Sequence, residues 1–207
     1  MSAAGQPSHP YLIYLLGYPG VGKYTIAAEI ATMTGAVVVD NQLMNHPVLA
    51  LLGWDGVSIL PRETWRYVAQ IRETLLKALE DLASRTISHV LTNALEDGPE
   101  SAAVFARIRQ VAATRDAVFL PVMLTCDPAE QIRRVTAVER ARRLKLTDPE
   151  QLRAYLATTG MYVPPDPRLF TLDTTDLSPA RAAEAILRQV AKLRQRPAGA
   201  GAAPPAG

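Results

Sequence analysis

Five short apolar runs punctuate the chain, at residues 11–17, 36–40, 86–95, 117–126 and 169–175. Several of them are apolar at nearly every position instead of alternating with polar residues. Continuous runs of this length are typical of strands that are buried on both faces, as in a parallel sheet. The pattern therefore predicts five strands of one mostly parallel sheet.

Helix-start signals lie between these runs. Asp127, Asp148 and Ser178 are N-cap residues, and each is followed by a proline at the first helical position. Strand and helix thus alternate, which predicts an α/β fold with right-handed crossovers. Ligands of such folds bind at the carboxyl ends of the strands, so functional residues are sought there.

Residues 61–84 are a further predicted helix. Apolar side chains recur in it at three-, four- and seven-residue spacing, which predicts one core-facing stripe. The stripe consists of Trp65, Val68, Leu75, Leu79 and Leu82. Trp54 and Trp65 are expected in the core and not in contact with a substrate.

Composition narrows the class of protein. The chain has 207 residues, of which 48% are hydrophobic, so a single domain at 10–196 is expected between flexible tails at 1–9 and 197–207. The formal net charge of +2 gives no reason to expect nucleic acid as a partner. One cysteine and three histidines argue against a structural zinc site. With no apolar run long enough for a membrane span and no signal-peptide pattern, we expect a cytoplasmic protein.

The most specific motif follows the first predicted strand. A glycine-rich turn ends in a lysine and precedes a predicted helix, which is the context of a phosphate loop. The glycines allow backbone N–H groups to point at phosphate oxygens, and the lysine adds a positive charge. The motif comprises Gly17, Tyr18, Pro19, Gly20, Val21, Gly22, Lys23, Tyr24 and Thr25.

Tyr24 stands where phosphate loops place the serine or threonine that binds Mg²⁺. A tyrosine is too long to put its hydroxyl in that position. Either the next residue, Thr25, assists the metal, or the ion is held mainly by phosphates and water, as its slow dehydration favours. The departure affects the metal site more than the phosphate site.

Asp40 is the first polar residue after the second predicted strand. A carboxylate there can accept a proton from a substrate hydroxyl or hold Mg²⁺ through water; the alternative is a turn or N-cap residue. The adjacent Asn41 is a candidate acceptor contact. Asn93, near the end of the third strand, occupies a position where many phosphate-loop proteins have a metal-contacting aspartate. Asn93 either binds substrate or caps its strand.

Basic residues concentrate between positions 133 and 145, where six of thirteen are Lys or Arg. A solvated helix face is the ordinary interpretation of such a run. Its place, after the fourth strand and its helix, instead favours a mobile lid at about 136–148 whose arginines close over the transferred phosphoryl group. Arg140 and Arg143 are the leading candidates. Arg66, in the connection between the second and third strands, is a candidate acceptor contact.

Taken together, these motifs resemble those of small P-loop kinases, a group that includes shikimate kinase, gluconate kinase, adenylate kinase and chloramphenicol phosphotransferase. Segments 124–128, 145–148 and 172–179 resemble more closely bacterial proteins described as AAA-family ATPases or shikimate-kinase-like. The resemblance covers nearly all of residues 11–190. It implies a three-layer α/β/α P-loop NTPase fold of the nucleoside-monophosphate-kinase type, with a five-stranded parallel sheet and a lid. It also implies ATP with Mg²⁺ as phosphoryl donor, with Asp173 and Thr175 near the adenine and Arg134 stacked on it.

The function expected from these features is transfer of the γ-phosphoryl group of Mg·ATP to a hydroxyl of a small molecule, by a monomer or homodimer. A second hypothesis is an ATP-binding regulatory or sensing module with little turnover, which Tyr24 and the absence of a carboxylate at position 93 favour. An antibiotic-modifying or toxin-like kinase would share the fold and differ only in its acceptor. The sequence does not identify that acceptor.

Overall fold

The sheet of the computed structural model contains all five predicted strands. Residues 9–56, 58–137 and 145–195 are described. The strands are β1 Tyr11–Leu16, β2 Val37–Val39, β3 His89–Asn93, β4 Val118–Thr125 and β5 Phe170–Asp173. They lie in the order β2-β3-β1-β4-β5, and every neighbouring pair is parallel. The predicted α/β class and strand number are confirmed.

Seven helices among the described residues connect or follow these strands. They are α1 Lys23–Thr34, α2 Gln42–Leu51, α3 Thr64–Asp81, α4 Pro99–Thr114, α5 Pro128–Val135, α6 Pro149–Thr158 and α7 Pro179–Gln195. The three predicted N-caps are confirmed. The Asp127 carboxylate accepts hydrogen bonds from the N–H groups of Ala129 and Glu130, the Asp148 carboxylate does the same at α6, and the Ser178 hydroxyl accepts from Arg181 N–H.

The continuous apolar character of β1 has a direct structural reason. All six of its residues are buried, because successive side chains enter two different cores. Tyr11, Ile13 and Leu15 pack with α1 and α7, whereas the alternate residues of the strand pack with α3 and α4. Helices on both faces make the molecule three-layered, and β1 is its central strand.

The predicted stripe of α3 is partly wrong. Val68 is buried, but Trp65, Leu75 and Leu82 are exposed, by 51%, 37% and 82%. The helix instead buries Leu76, eight residues after Val68. Leu79, a member of the predicted stripe, packs partly buried against the same cluster as Leu76. Contacts with α4 and β1 therefore decide which apolar side chains of α3 are buried, and helical spacing alone does not select them.

Three sequence-based expectations fall wholly or partly outside the described residues. Arg140, Arg143 and most of the expected lid lie in 138–144, and the expected tails lie almost entirely in 1–8 and 196–207. No helix in the described part of the chain is both long and apolar enough to cross a membrane.

Candidate active site

The loop between β1 and α1 is folded against the end of β4 and the middle of α5. Gly17 has φ +137°, and a Cβ built on it would lie 2.4 Å from the carbonyl oxygen of Leu124. Gly20 has φ +89°, and its Cβ would lie 3.0 Å from the carbonyl oxygen of Gln131. Glycine is therefore required at both positions by backbone conformation and by space. Val21, within the loop, is buried in the core cluster between the sheet, α1 and α7.

Lys23 begins α1, and its side chain turns back over the loop. Its ammonium donates to the carbonyl oxygens of Gly17 at 2.6 Å and Tyr18 at 2.8 Å. The cation is thereby held above the loop, next to the N-terminus of α1. A helix N-terminus and a lysine together favour an anion such as a phosphate at this point.

A cavity of about 180 Å³ opens above the loop, and we call it the phosphate-loop cavity. Its walls are the loop, the N-terminal part of α2 and the segments around positions 54, 65 and 145. The lining residues are Pro19, Gly20, Gly22, Lys23, Tyr24, Thr25, Asn41, Gln42, Asn45, Leu49, Trp54, Trp65, Ala94, Lys145 and Leu146. The candidate phosphate site and the connection between β2 and β3 thus share one cavity.

Asp40 lies beside this cavity, just past the end of β2, and is 5% exposed. Its Oδ1 accepts a hydrogen bond of 2.6 Å from the Thr92 hydroxyl on β3. Its Oδ2 accepts from the ammonium of Lys145 at 2.8 Å. The Asp40 side chain therefore does not cap α2; it joins two adjacent strand ends to the chain just after the expected lid. Asp40 itself faces a neighbouring groove that also contains His46 and Tyr24.

Tyr24 and Thr25, the first residues of α1 after Lys23, both line the phosphate-loop cavity. The Lys145 ammonium lies 4.9 Å from the centre of the Tyr24 ring, a cation–π distance. Thr25 is exposed and lines the phosphate-loop cavity. No group of three His, Cys, Asp or Glu side chains in residues 9–56, 58–137 and 145–195 is arranged to hold a metal ion. An all-protein metal cage is thus absent from this part of the chain.

Asn93 and Arg66 lie away from the cavity lining. The Asn93 amide donates to the Tyr14 hydroxyl at 3.0 Å, and its oxygen accepts from Ala94 N–H. These bonds cap the end of β3, and a substrate contact of Asn93 stays a prediction. Arg66 is exposed and stacks over the ring of Tyr67, with 5.2 Å between the guanidinium carbon and the ring centre.

Arg134 ties α5 to the segment after β5. Its guanidinium donates to the carbonyl oxygens of Thr174 and Thr175, both at 2.9 Å, and to Glu130. Hydrogen bonds from Arg133 and Arg134 lower the pKa of Glu130 to about 2, so that it is a carboxylate at neutral pH. Arg134 lines a groove of about 260 Å³ that shares Gly22 and Thr25 with the phosphate loop.

Asp173 and Thr175 form a turn on either side of Thr174, which lines this groove. The Asp173 carboxylate accepts from the hydroxyl of Thr175 at 2.6 Å and from its backbone N–H at 2.8 Å. These bonds hold the pKa of Asp173 below its usual value. The Thr175 hydroxyl also accepts from Asp127 N–H, so the end of β5 and the start of α5 are fixed to each other.

Sequence reasoning missed three features of the site. Lys145 appeared only as part of a basic run, although it is the partner of Asp40. Trp54 and Trp65 belong to neither core cluster and line the cavity, so their expected burial is wrong. The four-residue spacing of Asn41, Asn45 and Leu49 was the signal that places one face of α2 along the cavity.

No protein-family model and no curated protein sequence matches the chain. Solved structures do match it. A gluconokinase from Sinorhizobium meliloti 1021 is 18% identical with a TM-score of 0.58, covering 90% of this chain and 95% of that chain. Shikimate kinase from Acinetobacter baumannii, in complex with shikimate, is 19% identical with a TM-score of 0.52 over 90% and 96%. Thymidylate kinase from Candida albicans is 12% identical with a TM-score of 0.55 over 90% and 93%.

These neighbours are P-loop kinases of small molecules, as the resemblance in the sequence predicted. At such low identity the likeness establishes architecture and leaves the reaction to the site itself. The chain has the nucleoside-monophosphate-kinase-like P-loop fold, with the strand order β2-β3-β1-β4-β5.

Proposed function

We propose that the protein transfers the γ-phosphoryl group of Mg·ATP to a hydroxyl of a small molecule. The observation that carries the proposal is the juxtaposition of a glycine-constrained phosphate loop with a cavity walled by the connection between β2 and β3. One end of that cavity suits phosphates, and the other has the volume for an acceptor. A nucleotide-binding protein without an acceptor has no need of the second part.

The donor phosphates would lie against the loop amides and the N-terminus of α1. Lys23 would exchange its bonds to the Gly17 and Tyr18 carbonyl oxygens for bonds to the β- and γ-phosphates. This exchange adds charge-assisted hydrogen bonds without moving the backbone. The groove beside Arg134 and the Asp173–Thr175 turn is our candidate for the adenine side.

Asp40 is the proposed proton acceptor, because it adjoins the cavity through Asn41, its neighbour in the chain, and through Lys145, its ion-pair partner, both of which line the cavity. In the reaction, the acceptor hydroxyl loses its proton to Asp40, its oxygen bonds to the γ-phosphorus, and the bond from that phosphorus to the β,γ-bridging oxygen breaks to release ADP. A carboxylate offers about four lone-pair positions. Asp40 uses one on Thr92 and one on Lys145, so it retains capacity for a substrate hydroxyl.

The residues at the loop fit a magnesium ion that is carried mainly by the nucleotide. Thr25 lines the cavity with an exposed side chain, and Asp40, bonded to Lys145 of the same lining, would contact the ion through water. When bound, Mg²⁺ neutralises charge on the β- and γ-phosphate oxygens. Since Mg²⁺ retains several waters in such sites, a cage of protein carboxylates is not required.

Arg140 and Arg143 remain our candidates for closing over the transferred group. Closure would exclude water and so favour transfer over hydrolysis. Lys145 directly follows this segment in the chain, so closure of the segment would change the ion pair between Lys145 and Asp40. Loss of one specific contact to the transition state costs roughly 10²–10³ in rate.

The test is ADP release from Mg·ATP by the purified protein against a panel of hydroxyl compounds and nucleoside monophosphates. We expect one acceptor to raise the rate well above the acceptor-free rate, and Lys23→Ala to lower the stimulated rate at least about 10²-fold. Lys77→Ala is the matched control, since Lys77 pairs with Asp81 on the exposed surface of α3. Equal loss in both variants would contradict the assignment of Lys23.

An ATP-binding regulatory role is the second candidate, and Asn93 is the observation that favours it. An amide used for capping stands where a metal-contacting carboxylate is common, and such a site binds nucleotide with slow chemistry. This role predicts tight ATP binding with ADP release that no acceptor stimulates. The same panel therefore separates the two candidates.

A further inference from the structure

The wall of the phosphate-loop cavity opposite the loop has a chemical character of its own. It is made of two indole rings, two leucines, an alanine, three amides and Lys145, and its described lining contains no Asp, Glu or Arg. The two cations of the lining are Lys23, which lies on the phosphate loop, and Lys145, which is bonded to Asp40. Among the described residues of its lining, the wall therefore offers no carboxylate for a cationic acceptor and no arginine for an anionic one.

The amides of this wall are available to a ligand. Asn41 and Asn45 lie one turn apart on the same side of α2 and are partly buried. Neither side-chain amide has a hydrogen bond to another described residue, although Asn41 stands at the N-cap position, where its side chain would be expected to cap the helix. An amide both donates and accepts hydrogen bonds, as a hydroxyl group does. A carboxylate or phosphate only accepts, so it would use the amide N–H groups and leave the amide oxygen unpaired.

The tryptophans supply flat apolar surface. The Trp54 indole N–H donates to the Ser58 carbonyl oxygen at 2.7 Å, and the Asp55 carboxylate accepts from Ser58 N–H and Oγ, both at 2.7 Å. The Trp54 ring is thus fixed before any ligand arrives. Trp65 is 51% exposed at the start of α3, an unusual place for so large an apolar side chain. Covering it with the apolar face of a ligand ring removes that surface from water.

The cavity is small, and a groove of about 680 Å³ adjoins it at the phosphate loop on the side of Arg133 and Arg134. The cavity volume of about 180 Å³ lies below the roughly 300–1,000 Å³ that is typical of sites for drug-sized ligands. Part of that volume belongs to the phosphate loop. A compound of about the size of a monosaccharide is therefore our candidate for the space between the loop and the opposite wall.

From these observations we infer that the acceptor is an electrically neutral, hydroxyl-bearing ring compound of monosaccharide size, which packs on Trp54 and Trp65 and hydrogen-bonds to Asn41 and Asn45. The inference rests on the proposed function, because a bound compound is an acceptor only if the protein transfers a phosphoryl group to it. Its binding chemistry stands on the cavity wall alone, so it is tested in the absence of ATP.

The chain has two tryptophans and both line the cavity, so intrinsic tryptophan fluorescence reports on this wall. The full chain is titrated with matched pairs that differ in charge: glucose and glucuronate, galactose and galacturonate, and methyl shikimate and shikimate. We expect a saturable change with the neutral member of at least one pair, at a dissociation constant at least tenfold below that of its acid. Trp65→Phe should remove most of the change.

Asn45→Ala should weaken binding of that neutral compound at least tenfold, and Asn41→Ala serves as a second variant. Gln70→Ala, which removes an exposed amide from α3 outside the cavity, should leave the titration unchanged. Equal or tighter binding of the acids, or no response to any of the compounds, overturns the inference. If an acid is bound and also stimulates ADP release, the proposed function survives while this inference fails. If a neutral compound binds without stimulating ADP release, the inferred binding chemistry survives while the proposed function fails.

Discussion

At the scale of single residues, Gly17 links the loop's conformation to its packing. With φ +137° and a virtual Cβ 2.4 Å from the Leu124 carbonyl oxygen, Gly17→Ala should lower the free energy of unfolding by about 1–3 kcal/mol. It should also weaken ATP binding at least tenfold, since the loop must shift. Urea unfolding and ATP titration measure the two effects.

Gly53→Ala is the control for that substitution. Gly53 also has positive φ, +60°, but a Cβ there meets nothing within 4 Å. Only the backbone penalty of roughly 1–2 kcal/mol remains, and ATP affinity should not change. If Gly53→Ala weakened ATP binding as much as Gly17→Ala, the close approach of Gly17 to Leu124 would have no special role.

His89 should make stability depend on pH. Burial, together with the positive charge of Arg115, lowers the pKa of His89 from 6.5 to about 4, against a smaller opposing effect of its hydrogen bond to the Ile87 backbone. Between these two values the unfolded chain binds a proton that the folded protein does not. Stability is therefore complete above pH 6.5 and is lost as the pH falls toward 4, by about 2 kcal/mol between pH 7 and pH 5.

The measurement is urea unfolding at pH 7 and pH 5 for the natural protein and for His89→Gln. Carboxylates titrate in both proteins and cancel in the comparison. The variant should lose less stability than the natural protein over this interval. A loss of the same size in both proteins would show that His89 is not the group responsible.

At the scale of elements, Arg115 holds the turn that enters β3. It is 1% exposed, and its guanidinium donates to the carbonyl oxygens of Leu79, Ala83, Ser84 and Ile87 at 2.6–3.2 Å. Arg115→Met would leave these acceptors without their donor and should destabilise the protein by about 3 kcal/mol. This turn lies at the amino end of β3, opposite the candidate site, so ATP affinity should be kept.

Arg85→Met is the matched control for Arg115→Met. Arg85 is an exposed arginine of the same turn and donates to one carbonyl oxygen, that of Thr114. Its loss should cost well under half as much as the loss of Arg115, as thermal unfolding with calorimetry would measure. Equal effects would mean that the buried network is not what fixes the turn.

The elements also show where sequence patterns suffice. The strand β1 was predictable because burial on both faces requires every residue to be apolar. The starts of α5 and α6 were predictable because an Asp-Pro pair caps a helix locally. The face of α3 was not, since Trp65 and Leu75 fit a helical spacing while the packing that selects Leu76 comes from α4 and β1.

At the scale of the whole molecule, local sequence patterns predict the contiguous part of the site but not the contacts between distant segments. The phosphate loop was predictable because its residues are contiguous, whereas the atoms that exclude a side chain at Gly17 and Gly20 belong to distant Leu124 and Gln131. The ion pair of Asp40 and Lys145 joins residues 105 positions apart, and no local pattern specifies it. The cavity wall likewise combines α2, the Trp54 loop and the start of α3, which meet only in the folded chain.

The central claim concerns the whole molecule: donor phosphates and an acceptor hydroxyl meet in one cavity. The most direct test is phosphorus-31 NMR of Mg·ATP with the protein and the neutral hydroxyl compounds that it binds. The account predicts loss of the γ-phosphate signal with growth of a phosphomonoester signal, and neither change with Lys23→Ala. Growth of inorganic phosphate alone, or an unchanged ATP spectrum, would contradict it.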